Sequence, residues 1–170
     1  PRNGRLSQSY YRGRQSLGRL YSYAAATASP TPRLADTIVQ MADWELLYAH
    51  YGQAVELYAH AYAMLEEGAA AREPIEQLFA PPTPVVLPAF QPNPLAADDA
   101  REPKGHIDVE FEITRYGRAR RIEILGAENA GDADIARLDK LVAASRFRPR
   151  LTESGSPDAA PVVVRYYLYD

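Results

Sequence analysis

Apolar residues recur at helical spacing through the first half of the chain and at alternate positions through much of the second, with a proline-rich stretch between. Ala54, Leu57, Tyr58, Ala61, Tyr62 and Leu65 fall at i, i+3, i+4, i+7, i+8 and i+11, which marks one face of a helix ending at Gly68. Ahead of it, Leu34, Ile38, Met41, Glu45 and Tyr48 form one stripe, and Trp44, Leu47 and Tyr51 widen it. A helix apolar around so much of its circumference is expected to lie between neighbours. The break at His50 to Gly52 is short enough to fold these two helices back as an antiparallel hairpin. An earlier helix is expected over roughly Leu6 to Thr27.

From Ala80 to Pro103 the prolines at 81, 82, 84, 88, 92, 94 and 103 prevent a helix and favour extended backbone. This stretch divides the chain into a helical unit at 1–79, a linker at 80–103 and a second unit at 104–170. Val85, Val86, Leu87 and Phe90 are too many apolar residues for a solvated tether. Part of the linker is therefore expected to lie along the helical unit, with Val86, Leu87 or Phe90 buried there.

The second unit reads strand, strand, helix, strand. Ile107, Val109, Phe111 and Ile113 alternate with Asp108, Glu110, Glu112 and Thr114, as in a strand with one buried face. Tyr116-Gly117 supplies a tight turn. Pairing across it sets Phe111 opposite Ile122, Val109 opposite Ile124 and Glu112 opposite Arg121. Asp132 or Asp134 then caps a helix whose inner face carries Ile135, Leu138, Leu141 and Val142, and which Pro149 stops. In the last strand, Pro161 to Tyr169, the residues Val162, Val164, Tyr166 and Leu168 share one face. Val163, Arg165, Tyr167 and Tyr169 share the other.

Length and composition keep the answer modest: 170 residues, 46% hydrophobic and 24% charged, describe one ordinary domain or two small ones. The absence of cysteine removes disulfides, thiolate nucleophiles and cysteine-ligated metals. No run of eighteen apolar residues offers a membrane span. Net charge is only -3, but it is unevenly spread. Arg2, Arg5, Arg12, Arg14, Arg19 and Arg33 precede the first acid at Asp36, whereas Arg72 is the sole base from there to Ala100. His50, His60 and His106 fall on separate elements without ligand spacing, so no metal or other cofactor is expected. No phosphate loop, nucleophile elbow or zinc-protease motif is present, and no enzyme is expected. Arg118, Arg120, Arg121, Arg146, Arg148 and Arg150 read as a solvated rim pairing with Asp108, Glu110 and Glu112, not as a nucleic-acid surface. The basic start, Pro1 to Arg33, could touch anionic lipid head groups if a membrane anchor precedes it, and a solvated helix face is the alternative.

Two resemblances give these elements a functional direction. Arg12-Gly13-Arg14-Gln15-Ser16-Leu17 corresponds loosely to His50-Tyr51-Gly52-Gln53-Ala54-Val55, and Ala54, Tyr58 and Ala61 fit a small-aromatic-small pattern. The helical unit thus resembles one and a half to two tetratricopeptide repeats. A generic helical hairpin remains the alternative. Gly105 before the strand Ile107 to Ile113, the turn Tyr116-Gly117-Arg118, Ile122-Glu123-Ile124-Leu125, Phe147-Arg148-Pro149 and Val162-Val163-Val164 together resemble the C-terminal domain of the TonB family. The resulting expectation is an α+β chain: an antiparallel helical unit followed by a β-β-α-β domain with a three-stranded antiparallel sheet. The resemblance implies a periplasmic location, an anchor in the inner membrane upstream of Pro1, and envelope partners such as outer-membrane receptors. Binding is expected at the edge of a meander, through Val163, Arg165, Tyr167 and Tyr169, or in the helical groove. The alternative is a scaffold that docks without transducing energy. Two departures stand out: Ala100-Arg101-Glu102-Pro103 replaces the family's Tyr-Pro pair, and the loop Leu151 to Ala160 is longer than the domain needs.

Overall fold

The computed structural model describes residues 2–27, 31–67, 72–86, 102–152 and 155–169, with side chains from residue 8 onward. Among these residues the chain is α+β, with five helices and two small antiparallel sheets. It divides into two compact units, Pro1–Pro81 with Arg150–Pro157, and Pro82–Pro149 with Asp158–Asp170.

The first unit contains α1 (Arg2–Ala26), α2 (Thr31–Leu47), α3 (Tyr51–Glu67) and α4 (Arg72–Phe79). α2 packs against α1, α3 and α4, the environment its wide apolar surface requires. α2 buries Ile38, Val39, Ala42 and Leu46, α3 buries Ala54, Tyr58, Ala61 and Leu65, and the two helices pack on each other. Leu47, read as part of the stripe, is instead exposed. The reversal after α2 is a helix C-terminus closed in the left-handed conformation. Ala49 has φ 64°, its N–H donates to the Leu46 carbonyl at 3.1 Å, and the His50 N–H donates to the Glu45 carbonyl at 2.9 Å.

The sequence pattern does not point to α4, which contains Pro74. The proline lies in the first turn, where a missing N–H costs no intrahelical hydrogen bond. α4 delivers Phe79 into the core against Tyr58 and Tyr62, at ring separations of 6.4 and 6.0 Å. The extra length of the loop after Pro149 also has an explanation, since residues 150–157 fold as part of the helical unit. There Leu151 bridges Pro157, the Thr152 N–H donates to the Ser156 carbonyl at 2.8 Å, and Arg150 Nε donates to the Ala80 carbonyl at 2.9 Å.

The second unit runs β1 (Pro84–Val86), β2 (Gly105–Ile113), β3 (Ala119–Glu128), α5 (Asp132–Ala144), β4 (Arg146–Phe147) and β5 (Val162–Leu168). Residues 84–86 correct the reading of the linker. They form a strand that pairs with β4 in the second unit, with the Arg148 N–H donating to the Thr83 carbonyl at 2.8 Å, and Val86 is half-buried there. Leu87 and Phe90 lie outside the described residues.

The main sheet has the order β3-β2-β5, all antiparallel. This corrects the expected meander: β5 returns beside β2, so the first strand of the domain is central. The reason is burial, because every odd residue from Gly105 to Ile113 in β2 is buried, and a strand with so complete an inner face gains most in the middle. Two glycines set the strand's ends. A side chain at Gly105 would collide with the Glu128 carbonyl, and Gly117 turns the hairpin with φ 72°. α5 covers one sheet face, and Leu138, Leu141 and Val142 pack with Val109, Phe111, Phe147, Val162 and Leu168. Phe111 and Phe147 lie 5.0 Å apart, centroid to centroid. The N-cap of α5 is Gly131, not Asp132 or Asp134, although the Asp134 carboxylate accepts the Gly131 N–H at 3.2 Å. The helix ends at Ala144, before Pro149, where the Ser145 hydroxyl donates to the Leu141 carbonyl at 2.7 Å.

Candidate edge-strand interface

β5 forms one outer margin of the sheet. Its register with β2 runs without a shift from Gly105 opposite Leu168 to Phe111 opposite Val162, and among the described residues no strand pairs with its other flank. The alternation is physical as well as formal. Val162 and Leu168 are buried, and Val164 and Tyr166 pack against the core. Burial raises the Tyr166 phenol above its ordinary pKa. On the other face Val163 is 56% exposed and Tyr167 48% exposed. Tyr169 follows the strand and is half-buried.

Arg165 is clamped between these two exposed side chains. Its guanidinium forks onto Asp108, with Nε to Oδ1 at 2.7 Å and Nη2 to Oδ2 at 2.8 Å, the bidentate geometry arginine favours with carboxylates. The hydrogen bond from Arg165 holds the Asp108 carboxyl below its ordinary 3.8, against an opposing contribution from partial desolvation. Arg165 is raised above its usual range, mainly by the same bond. The clip ties β5 to β2 on the open face. Beside it Glu110 stands between Glu123 and Val163 in register. A like-charged neighbour directly across a ladder is unfavourable, so this part of the face favours a cation from elsewhere.

The opposite margin, β3, is built differently. Its pairing with β2 shifts register twice, between Asp108 and Val109 and between Glu110 and Glu112. Val109 opposes Ile124 as the sequence suggests, but Glu112 opposes Arg120 and not Arg121. Arg121, at φ 52°, is the extra residue of a bulge. The bulge lets consecutive arginines reach one carboxylate: Arg120 Nε meets Glu112 Oε2 at 2.9 Å and Arg121 Nη1 meets Oε1 at 2.5 Å. Glu112 is held below its ordinary 4.5, chiefly by the bond from Arg121. The hairpin end of β3 is also occupied, since Arg118 bridges Arg146 and the Phe147 N–H donates to the Gly117 carbonyl at 2.8 Å. The arginine rim is therefore resolved into particular bonds: Asp108 takes Arg165, which was not assigned to it, and Arg146 donates to the Ala144 and Ser145 carbonyls.

In the helical unit the structure assembles a cluster that sequence reasoning missed. Glu45 is only 3% exposed. Its carboxylate accepts the Tyr10 hydroxyl at 3.0 and 2.9 Å, meets His50 Nδ1 at 2.7 Å and lies 3.4 Å from Arg14 Nε. Trp44 Nε1 donates to the Tyr10 carbonyl at 3.2 Å. Desolvation, then Glu45, raises the Tyr10 phenol above its ordinary pKa. The available signal was a glutamate on an apolar stripe, which must find donors once buried; His50 follows it just beyond the turn, but Tyr10 and Arg14 lie on another helix, far from it in sequence. A groove of about 290 Å³ in the same unit is lined by Tyr62, Glu66, Arg72, Ile75, Leu151 and Thr152, among others.

Among the described residues no group of three His, Asp or Glu side chains is arranged to hold a metal ion, and no helix is long and apolar enough to cross a membrane. No protein-family model matches the chain, and neither the curated proteins nor the solved structures contain a significant match.

Proposed function

We propose that this chain is a TonB-like protein-interaction module of the bacterial cell envelope, which captures an extended segment of a partner protein along the outer flank of β5. The observation that carries the reading is the contrast between the sheet's two margins: β5 is regular and carries the exposed pair Val163 and Tyr167, whereas β3 is bulged and partly covered. A regular margin presents a row of main-chain donors and acceptors that an added strand satisfies, and alternate side chains then supply selectivity. The order strand, strand, helix, strand, with the last strand at the margin, supports the TonB-like reading. The small residues Ala54 and Ala61, buried around Tyr58, support a tetratricopeptide-like helical unit. On this reading the location is periplasmic, the partners are envelope proteins such as outer-membrane receptors, and the role is binding without catalysis. A scaffold that only docks shares the same margin; an upstream membrane span distinguishes a transducer from it.

Adjacent N–H groups along a strand point to opposite flanks, so proline placed at Tyr166 and at Tyr167 removes donors from different sides. One variant loses a ladder bond to β2 and melts early. The other melts no earlier than the alanine variant at the same site but loses binding of a synthetic peptide taken from an extended segment of an outer-membrane receptor, while that alanine variant binds it only modestly less well. A well-folded outward proline variant that binds the peptide as tightly as the parent refutes strand addition at β5.

A further inference from the structure

We infer that the outer face of α1 docks on an anionic lipid surface. α1 is 25 residues long, roughly 37 Å at the ordinary helical rise. Its inner face is already engaged, with Tyr10 and Ala24 buried and the helix packed on α2. Arg12 and Arg19, seven residues apart, stand almost in line on the other side, about 10 Å apart along the axis, and both are exposed. Arg5 continues the same seven-residue spacing in sequence.

These arginines are not drawn into the ion pairs that engage several others. Arg14 reaches Glu45, Arg72 reaches Glu76, Arg120 and Arg121 share Glu112, and Arg165 grips Asp108. Among the described residues Arg12 and Arg19 have no carboxylate partner, and no acid occurs in the chain before Asp36. The same helix leaves Tyr11 66% and Tyr23 67% exposed, and Leu20 is exposed as well. Arginines flanked by tyrosines and a leucine match a bilayer interface, where anionic headgroups take the charge and the amphipathic rings settle at headgroup depth. Nucleic acid fits less well: a footprint of that kind neutralises roughly six to ten phosphates, several times what this line of arginines offers, and it has no use for an exposed leucine. Because the apolar stripe of α1 is occupied by α2, the helix adsorbs without inserting, and the binding is weak and salt-dependent.

The test is co-sedimentation of the full chain with vesicles of phosphatidylcholine alone or of equal parts phosphatidylcholine and phosphatidylglycerol. Each arginine near an anionic surface strengthens binding about fivefold, so R12E/R19E should lower partitioning onto the mixed vesicles by about 25-fold or more. Binding should vanish on neutral vesicles and at about 0.5 M salt. R137E/K140E, an equal charge change on exposed positions of α5, should bind as the parent does. Thermal midpoints establish that each variant is folded, and R12Q/R19Q replaces R12E/R19E if charge reversal disturbs α1. Equal binding to both vesicle types, parent-like binding by the α1 variant, equal loss in the α5 variant, or binding to a DNA oligonucleotide with none to vesicles overturns the proposal.

Discussion

β5 and β3 flank the same central strand, yet they end the sheet in different ways. β5 keeps strict alternation and one register, and its only charged side chain is tied back to Asp108. β3 carries two register shifts, a left-handed Arg121, exposed charges at Arg120, Arg121, Glu123 and Glu128, and a short strand pair beside its hairpin end. Bulges and charges are the usual means of preventing unwanted pairing at a sheet margin. The difference teaches that openness at β5 is not a general looseness of a small sheet. Among the described residues one margin is bulged and charged while the other is regular.

The largest effect expected from testing this contrast is at Phe147. It lies under α5 beside Phe111 and anchors the strand pair next to β3, so Phe147→Ala should cost about 3–5 kcal/mol. Chemical denaturation measures the loss, and amide exchange at residues 117–120 should accelerate more than at β5 in whatever native population remains. A parent-like midpoint would place Phe147 outside the core. A smaller effect follows at Arg121. Its left-handed backbone costs an L-residue about 1 kcal/mol, so Arg121→Gly should relieve strain yet forfeit one bond to Glu112, for a net gain of no more than about 1 kcal/mol. A clear loss of stability would show that the arginine pair, not the bulge geometry, holds this margin.

The smallest effect concerns the clip on β5. Because the folded Asp108 carboxyl titrates below its ordinary 3.8, its contribution to stability is complete above that value and disappears as pH falls through the lowered one. Asp108→Asn should therefore be slightly less stable than the parent at pH 7, and the two should converge in the most acidic solutions. Urea midpoints across the acid range test this. A gap between the two proteins that persists unchanged into strong acid would mean the Arg165 fork contributes nothing through its charge.

Local pattern was sufficient where neighbouring residues decide the outcome. The alternation in β2 and β5, the helical faces of α3 and α5, the turn at Gly117 and the pairing of Val109 with Ile124 all depend on residues close in sequence or on one buried face. The candidate residues Val163, Arg165 and Tyr167 were legible for the same reason, as the alternate set of a strand whose other set is needed inside. Pattern failed where a distant partner decides. α4 escaped the pattern because what fixes it is the packing of Phe79 against Tyr58 and Tyr62 of α3, far away in sequence. Val86 was expected against the helical unit, whereas its strand partner is β4 of the second unit. Nothing near Glu45 announced that Tyr10 of α1 and His50 beyond the turn would meet its carboxylate.

The sequence by itself determined the longer elements, α1, α2, α3, α5, β2, β3 and β5, and most of their buried faces, because backbone periodicity and the exclusion of apolar groups from water act locally. Tertiary structure alone decided that β2 is central, that Arg121 is squeezed into a bulge so that Ala119 and Ile122 share the core face, and that residues 150–157 join the helical unit. Each of these is a choice among partners far apart in the chain. Hydrogen-bonding capacity and apolar area make many such pairings possible, and only simultaneous packing of all the elements selects one.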